Sequence, residues 1–162
     1  MGHKMRRFKQ LLPQAETEYI LNVCTGAVIS LIDQDGMPYG VPVSYVYDGN
    51  GHIYLHSANT GHKIDCIHAN PRCSFCVIAQ DKIVPEEFTT YFRSVIVSGT
   101  IRIITDDSEI LNALHLLCDK YCAGIDPDNE IKKCWKNVCV LRIDVEDITG
   151  KESIELVGQR NI

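Results

Sequence analysis

A chain of 162 residues with 45% apolar side chains is long enough to bury one core, so a single domain over residues 1–162 is expected, with its core from about Arg6 to Lys151. A net charge of −5 and a pI near 5.6 argue against a broad nucleic-acid footprint, although His3, Lys4, Arg6, Arg7 and Lys9 form a local basic patch that reads as a solvated terminus. No run approaches the roughly 18 apolar residues of a membrane span and the N-terminus lacks a signal-peptide core, so a cytoplasmic protein is expected.

The spacing predicts a first helix from about Gln14 to Cys24, with Ile20, Leu21 and Cys24 facing inward. Strands follow. Ala27 to Ile32 is apolar and β-branched, Asp35-Gly36 signals a hairpin, and Tyr39 to Tyr47 resumes with bulky alternating residues. After the turn Asp48-Gly49-Asn50-Gly51 comes a strand from His52 to Ser57, then a short helix from His62 to His68 that Asn70-Pro71 stops. Arg72 to Ala79 reads as a strand, Gln80 to Phe88 as a charged loop around Pro85, and Thr90 to Ile104 as a long strand in which Gly99 suits a bulge or barrel corner.

Asp106, with Glu109 three residues on, marks a capped helix start. That helix is predicted from about Asp107 to Cys122, with Ile110, Leu111, Leu114, Leu117, Cys118 and Tyr121 at core spacing. A helical turn after Pro127 and a last strand from Asn137 to Asp147 complete the chain. Six strands in turn-linked meanders with few helices predict a mainly β fold with peripheral helices, a six-stranded antiparallel barrel, closed or partly closed.

Eight cysteines without a secretory signal, most of them in apolar patterns, are read as reduced, mostly buried thiols. Cys73 and Cys76 are three apart on a strand and so face opposite ways, which disfavours a metal or redox pair. His115, Cys118 and Cys122 share a helix face at zinc-ligand spacing, yet Leu111, Leu114 and Tyr121 lie close to that stripe, so core packing is the preferred reading.

The stretch from Ile53 to Pro71 is the most informative. An apolar strand ends in His56-Ser57, crosses a loop containing Gly61, and enters a helix whose first turn carries His62 and Lys63. Free N–H groups at a helix start, the positive end of its dipole and an adjacent ammonium all favour a bound phosphate.

The series Gly40-Val41-Pro42-Val43-Ser44-Tyr45, His56-Ser57, His62-Lys63, Ala69-Asn70-Pro71, Arg93 to Gly99 and Ile148-Thr149-Gly150-Lys151 resembles the FMN-binding split barrels related to pyridoxamine 5′-phosphate oxidase. Within that superfamily it is most similar to the nitroimidazole-resistance flavoproteins. The resemblance implies an FMN whose ring lies along Val41, Pro42, Val43 and Ser44, with His56 and Ser57 facing the ribityl chain and phosphate. Lys63, helped by His62, would neutralise the phosphate. His62 stands where relatives commonly have Arg, which would make one positive charge pH-dependent. Ser94 matches a polar contact given by a second subunit, which implies a homodimer with FMN at the interface.

The activity implied is that of an FMN-dependent oxidoreductase reducing nitro-aromatic or quinone-like acceptors, with His56 as proton donor or acceptor-orienting residue. Oxidation of pyridoxamine phosphate itself is not expected, because little chain follows Asp147 to build that enzyme's basic C-terminal clamp. A non-catalytic flavin or haem carrier, with His56 or His62 as an axial ligand, is the alternative.

Overall fold

Alternation with a period of two shapes the first strand. Within β1 (Gly26–Ile32), Ala27, Ile29 and Leu31 are buried while Gly26, Val28, Ser30 and Ile32 face out. The computed structural model, which describes residues 5–160, places α1 (Gln14–Val23) before this strand with Ile20 and Leu21 buried. His3 and Lys4 of the basic patch lie outside the described residues.

β1 pairs antiparallel with β2 (Pro38–Ser44) through a turn that the Asp33 carboxylate organises, accepting the N–H groups of Asp35 at 2.9 Å and Met37 at 2.8 Å. The strand expected to run on to Tyr47 breaks at Tyr45. The Tyr121 hydroxyl accepts the Tyr45 N–H at 2.9 Å and donates to the Thr25 carbonyl at 2.6 Å, so a side chain satisfies Tyr45 where a neighbouring strand would have done so. The Tyr45 ring is fully buried, edge-on to Phe75 at 4.8 Å.

Beyond this break, β3 (Val46–Tyr47) pairs with β4 (His52–Ala58), which pairs in turn with β7 (Val138–Glu152). The remaining strands are β5 (Arg72–Val84) and β6 (Thr89–Ile103), which give one seven-stranded sheet of order β2-β1-β5-β6-β7-β4-β3. Seven strands replace the expected six because Tyr45 divides one of them. The sheet's two edge strands, β2 and β3, are joined by that single residue, so the sheet curls until its edges meet. No hydrogen-bonded ladder closes it among the described residues. This is an open, split barrel.

Two further differences concern strand length. The segment expected as a loop from Gln80 continues β5 to Val84, because Gln80–Val84 pairs with Thr89–Arg93 in an arm beyond a bulge at Ile78/Gln80. Pro85–Glu87 forms a 3₁₀ turn at its tip. β7 likewise runs past Asp147 to Glu152, pairing with Arg93–Val97. The expected irregularity at Gly99 is present: the β6–β7 register shifts between Ser98 and Gly99, and a Cβ at Gly99 would lie 2.2 Å from the Asp144 carbonyl oxygen.

One core fills the curled sheet around Leu21, Ile29, Ile53, Leu55, Phe75 and Leu141. A second lies between the sheet and α3 (Asp107–Tyr121), built from Val46, Tyr54, Ala113, Leu114, Leu117 and Val140. The capped start holds, since Asp106 accepts the Glu109 N–H at 2.9 Å. The inner stripe is rotated from the one expected: Ala113 is fully buried, whereas Leu111 is 42% exposed. α2 (His62–Ala69), α4 (Asp128–Cys134) and α5 (Ile154–Val157) complete the set. No helix among the described residues is long and apolar enough to cross a membrane.

Candidate functional site

The split in the barrel sets Val43 and Ser44 across from His56 and Ser57. β3 pairs with β4 only at Val46↔Tyr54 and Tyr47↔Ile53, and continuing that register past the break sets Ser44 opposite His56 and Val43 opposite Ser57. No ladder forms there. Val41–Ser44 pairs only with β1, and His56–Ala58 only with β7, so each segment keeps a backbone edge free for a planar ligand.

Alternation then sorts the side chains. Val41 and Val43 pack toward the barrel core, while Pro42 and Ser44 face out. His56 shares the outer face with Tyr54 and is exposed, whereas Ser57 shares the inner face with Leu55 and opposes Cys139. His56 and Ser57 therefore line opposite sides of the split. On the outer side, Pro42, Ser44, Val28, Cys76 and Ile78 are among the residues lining a groove of about 510 Å³. Ser94 opposes Ile78, a lining residue of that groove, in the β5–β6 ladder.

The inner side is closed by the start of α2. Gly61 holds φ +126°, a conformation that L side chains rarely adopt, and its carbonyl accepts the N–H groups of Ile64 at 2.9 Å and Asp65 at 3.1 Å. The N–H groups of His62 and Lys63 donate to no backbone carbonyl among the described residues. Lys63 is half-buried beside Cys139, and burial lowers its pKa below the ordinary lysine range; the Cys139 thiol opposes that effect. The same burial pushes the Cys139 thiol up, with Lys63 partly offsetting it. No carboxylate among the described residues offsets the burial of Lys63.

His62 and Lys63 do not converge. Consecutive helix positions diverge by about 100°, and the His62 ring instead meets Tyr39 edge-on at 4.5 Å, with Nε2 3.8 Å from Cys66 Sγ. It faces a small cavity lined by Asp33, Asp35 and Asp65. The His62 imidazole thus packs against Tyr39 and Cys66. The sequence reading did not find Cys139, whose place beside Lys63 depends on strand register. Trp135 packs against the second core.

The site thus combines an open barrel, two free strand edges and a cationic helix start. The chain belongs to the pyridoxamine 5′-phosphate oxidase family, whose sequence model matches residues 13–152. It is similar to a proposed 5-nitroimidazole antibiotic resistance protein of Bacteroides thetaiotaomicron, at 25% identity over 88% of this chain and 86% of that one, with a TM-score of 0.74. An FAD-binding protein of Mesorhizobium loti shares the fold at 24% identity over 89% and 97% of the two chains, TM-score 0.66. An FAD and haem binding protein of Mycobacterium smegmatis does so at 18% identity over 95% and 81%, TM-score 0.74. Comparison with curated protein sequences gives no match.

Proposed function

We propose that this protein is a homodimeric, FMN-dependent oxidoreductase that passes electrons to small planar acceptors of the nitro-aromatic or quinone class. The observation that carries the reading is the half-buried Lys63, set at a glycine-led helix start near Cys139, the ladder partner of Ser57, with no carboxylate among the described residues to neutralise it. These residues fit a flavin monophosphate: the ammonium and the two free N–H groups suit its phosphate, and the open edges of β2 and β4 suit the ring's polar rim. FMN, when bound, supplies the electron transfer.

Lys63, Ser57 and the N–H groups of His62 and Lys63 bind the phosphate in this reading. Backbone groups of Val41–Ser44 orient the ring, and the apolar groove wall excludes water. His56, exposed across the split from Ser44, donates a proton to the acceptor or orients it. The outward row Pro42, Val28, Cys76 and Ile96 is an apolar face on the curled sheet, suited to cover by a second protomer that would bring its Ser94 to the cofactor. All eight cysteines are free thiols, which suits the cytoplasm.

Absorbance and mass spectrometry on protein purified without added cofactor test the reading. Flavin bands with a mass matching FMN support it, and FAD alone would overturn FMN as the cofactor. The likeness to an FAD and haem binding protein supports a second reading, a haem or flavin carrier; a Soret band would favour that one.

A further inference from the structure

The arm beyond the bulge at Ile78/Gln80 carries its apolar side chains into solvent. Its five ladder pairs, from Gln80↔Arg93 to Val84↔Thr89, extend the tip by roughly 16 Å. At the tip Phe88 is 97% exposed and held at φ +51°, a left-handed conformation uncommon for a bulky residue, and Ile83 is 72% exposed. Glu86 and Glu87 stand immediately before Phe88.

A complementary surface lies at the same end of the molecule. Arg6, Arg7, Phe8, Lys9, Gln10 and Ile154 line a groove of about 390 Å³. Phe8 and Ile154 are exposed there. α5 links the two features: Thr89 Oγ1 donates to Glu155 at 3.2 Å and the Ser153 N–H donates to Phe92 O at 3.0 Å, while Ile154 lines the groove. The arm is laddered to its tip and so cannot fold back onto its own chain's groove.

We propose that the arm of each protomer seats in the Arg6–Gln10 groove of a second copy, Glu86 and Glu87 meeting Arg6, Arg7 and Lys9, and Phe88 meeting Phe8 and Ile154. Arm and groove flank one helix, so a two-fold axis beside α5 forms both contacts at once. The inference rests on the homodimer reading above and assigns it a contact apart from the flavin groove.

Charge exchange tests it. Glu86→Arg with Glu87→Arg leaves arm and groove both positive, and Arg6→Glu with Arg7→Glu leaves both negative, so each variant alone should dimerise about 10-fold or more weakly than the parent by sedimentation velocity. An equimolar mixture pairs a positive arm with a negative groove, and the reverse, and should regain the dimer; that recovery also shows both variants folded. A parent dimer whose two variants dimerise unchanged, or whose mixture fails to recover, overturns the arm contact alone. A parent protein monomeric at every concentration overturns the arm contact and the homodimer reading together.

Discussion

Lys63 is the residue on which the phosphate assignment turns, because a half-buried ammonium without a carboxylate partner among the described residues is held at a cost that a bound dianion would relieve. Lys63→Ala should weaken FMN binding by about 1.5–3 kcal/mol, the scale of hydrogen bonds to charged groups, and hardly change riboflavin affinity. Equal losses for both ligands would remove Lys63 from the phosphate site. The pH dependence has a definite sign. Burial lowers the folded-state pKa, so the unfolded chain binds the proton more tightly, and without ligand this group makes stability rise with pH through the window between the two values. FMN affinity should move the opposite way, falling at alkaline pH below the ordinary lysine range as the ammonium discharges. Lys63→Arg stays charged, so fluorescence titrations from neutral to alkaline pH should give a flatter profile for that variant.

His56 belongs to the other side of the split. It shares the exposed outer face with Ser44 and takes no part in the Lys63 cluster, so its removal should spare cofactor affinity. His56→Ala is expected to retain FMN yet reoxidise more slowly with a nitro-aromatic or quinone, by on the order of 100-fold or more for a lost proton donor. Stopped-flow reoxidation of photoreduced protein reads this directly. Unchanged rates in fully flavinated variant would leave His56 as a strand-end residue and favour the carrier reading.

At the scale of elements, Gly99 marks where β6 and β7 approach too closely for a side chain. A methyl group there would meet the Asp144 carbonyl oxygen at 2.2 Å, and because the obstacle is backbone, the strands themselves must part. Gly99→Ala should cost on the order of 3 kcal/mol in a urea melt, whereas Gly26→Ala, with nothing within 4 Å of its would-be Cβ, should stay within about 0.5 kcal/mol. Similar midpoints for the two variants would contradict the close approach. Gly99 was legible in the sequence because a lone glycine in a long β-branched run has few explanations. The helix ends at Asp106 and Asn70 were legible through local capping and proline chemistry. The break at Tyr45 was not, since it depends on a hydroxyl from Tyr121, 76 positions away. The arm was missed for a related reason: Gln80–Val84 leaves the core behind, so the burial periodicity that betrays a strand is lost among Asp81 and Lys82. The site was half legible. The candidates His56, Ser57 and Lys63 come from one local stretch, and alternation alone sets His56 and Ser57 on opposite faces, but which of them faces the core and the nearness of Cys139 follow from pairing that local sequence does not state.

For the whole molecule, the open barrel leaves the proposed cofactor groove on the same outward face as Val28, Cys76, Ile78 and Ile96, with Ser94 opposite Ile78. A face of that composition is costly to leave in water, and a cofactor seated against it gains its missing wall from whatever covers the face. If a second protomer does so, FMN binding and dimerisation are linked, and each strengthens the other by the same factor. Serial dilution of the holoprotein should then release FMN over the concentration range in which sedimentation shows the dimer parting, and excess FMN should move both transitions to lower protein concentration. Adding a bulky charge to the face, as in Ile96→Arg, should weaken dimer and FMN binding in parallel while leaving the monomer's urea midpoint nearly unchanged, because Ile96 is 42% exposed and buries little within its own chain. A stable monomer that keeps one FMN per chain on dilution would separate the two equilibria and place the whole cofactor site within a single protomer.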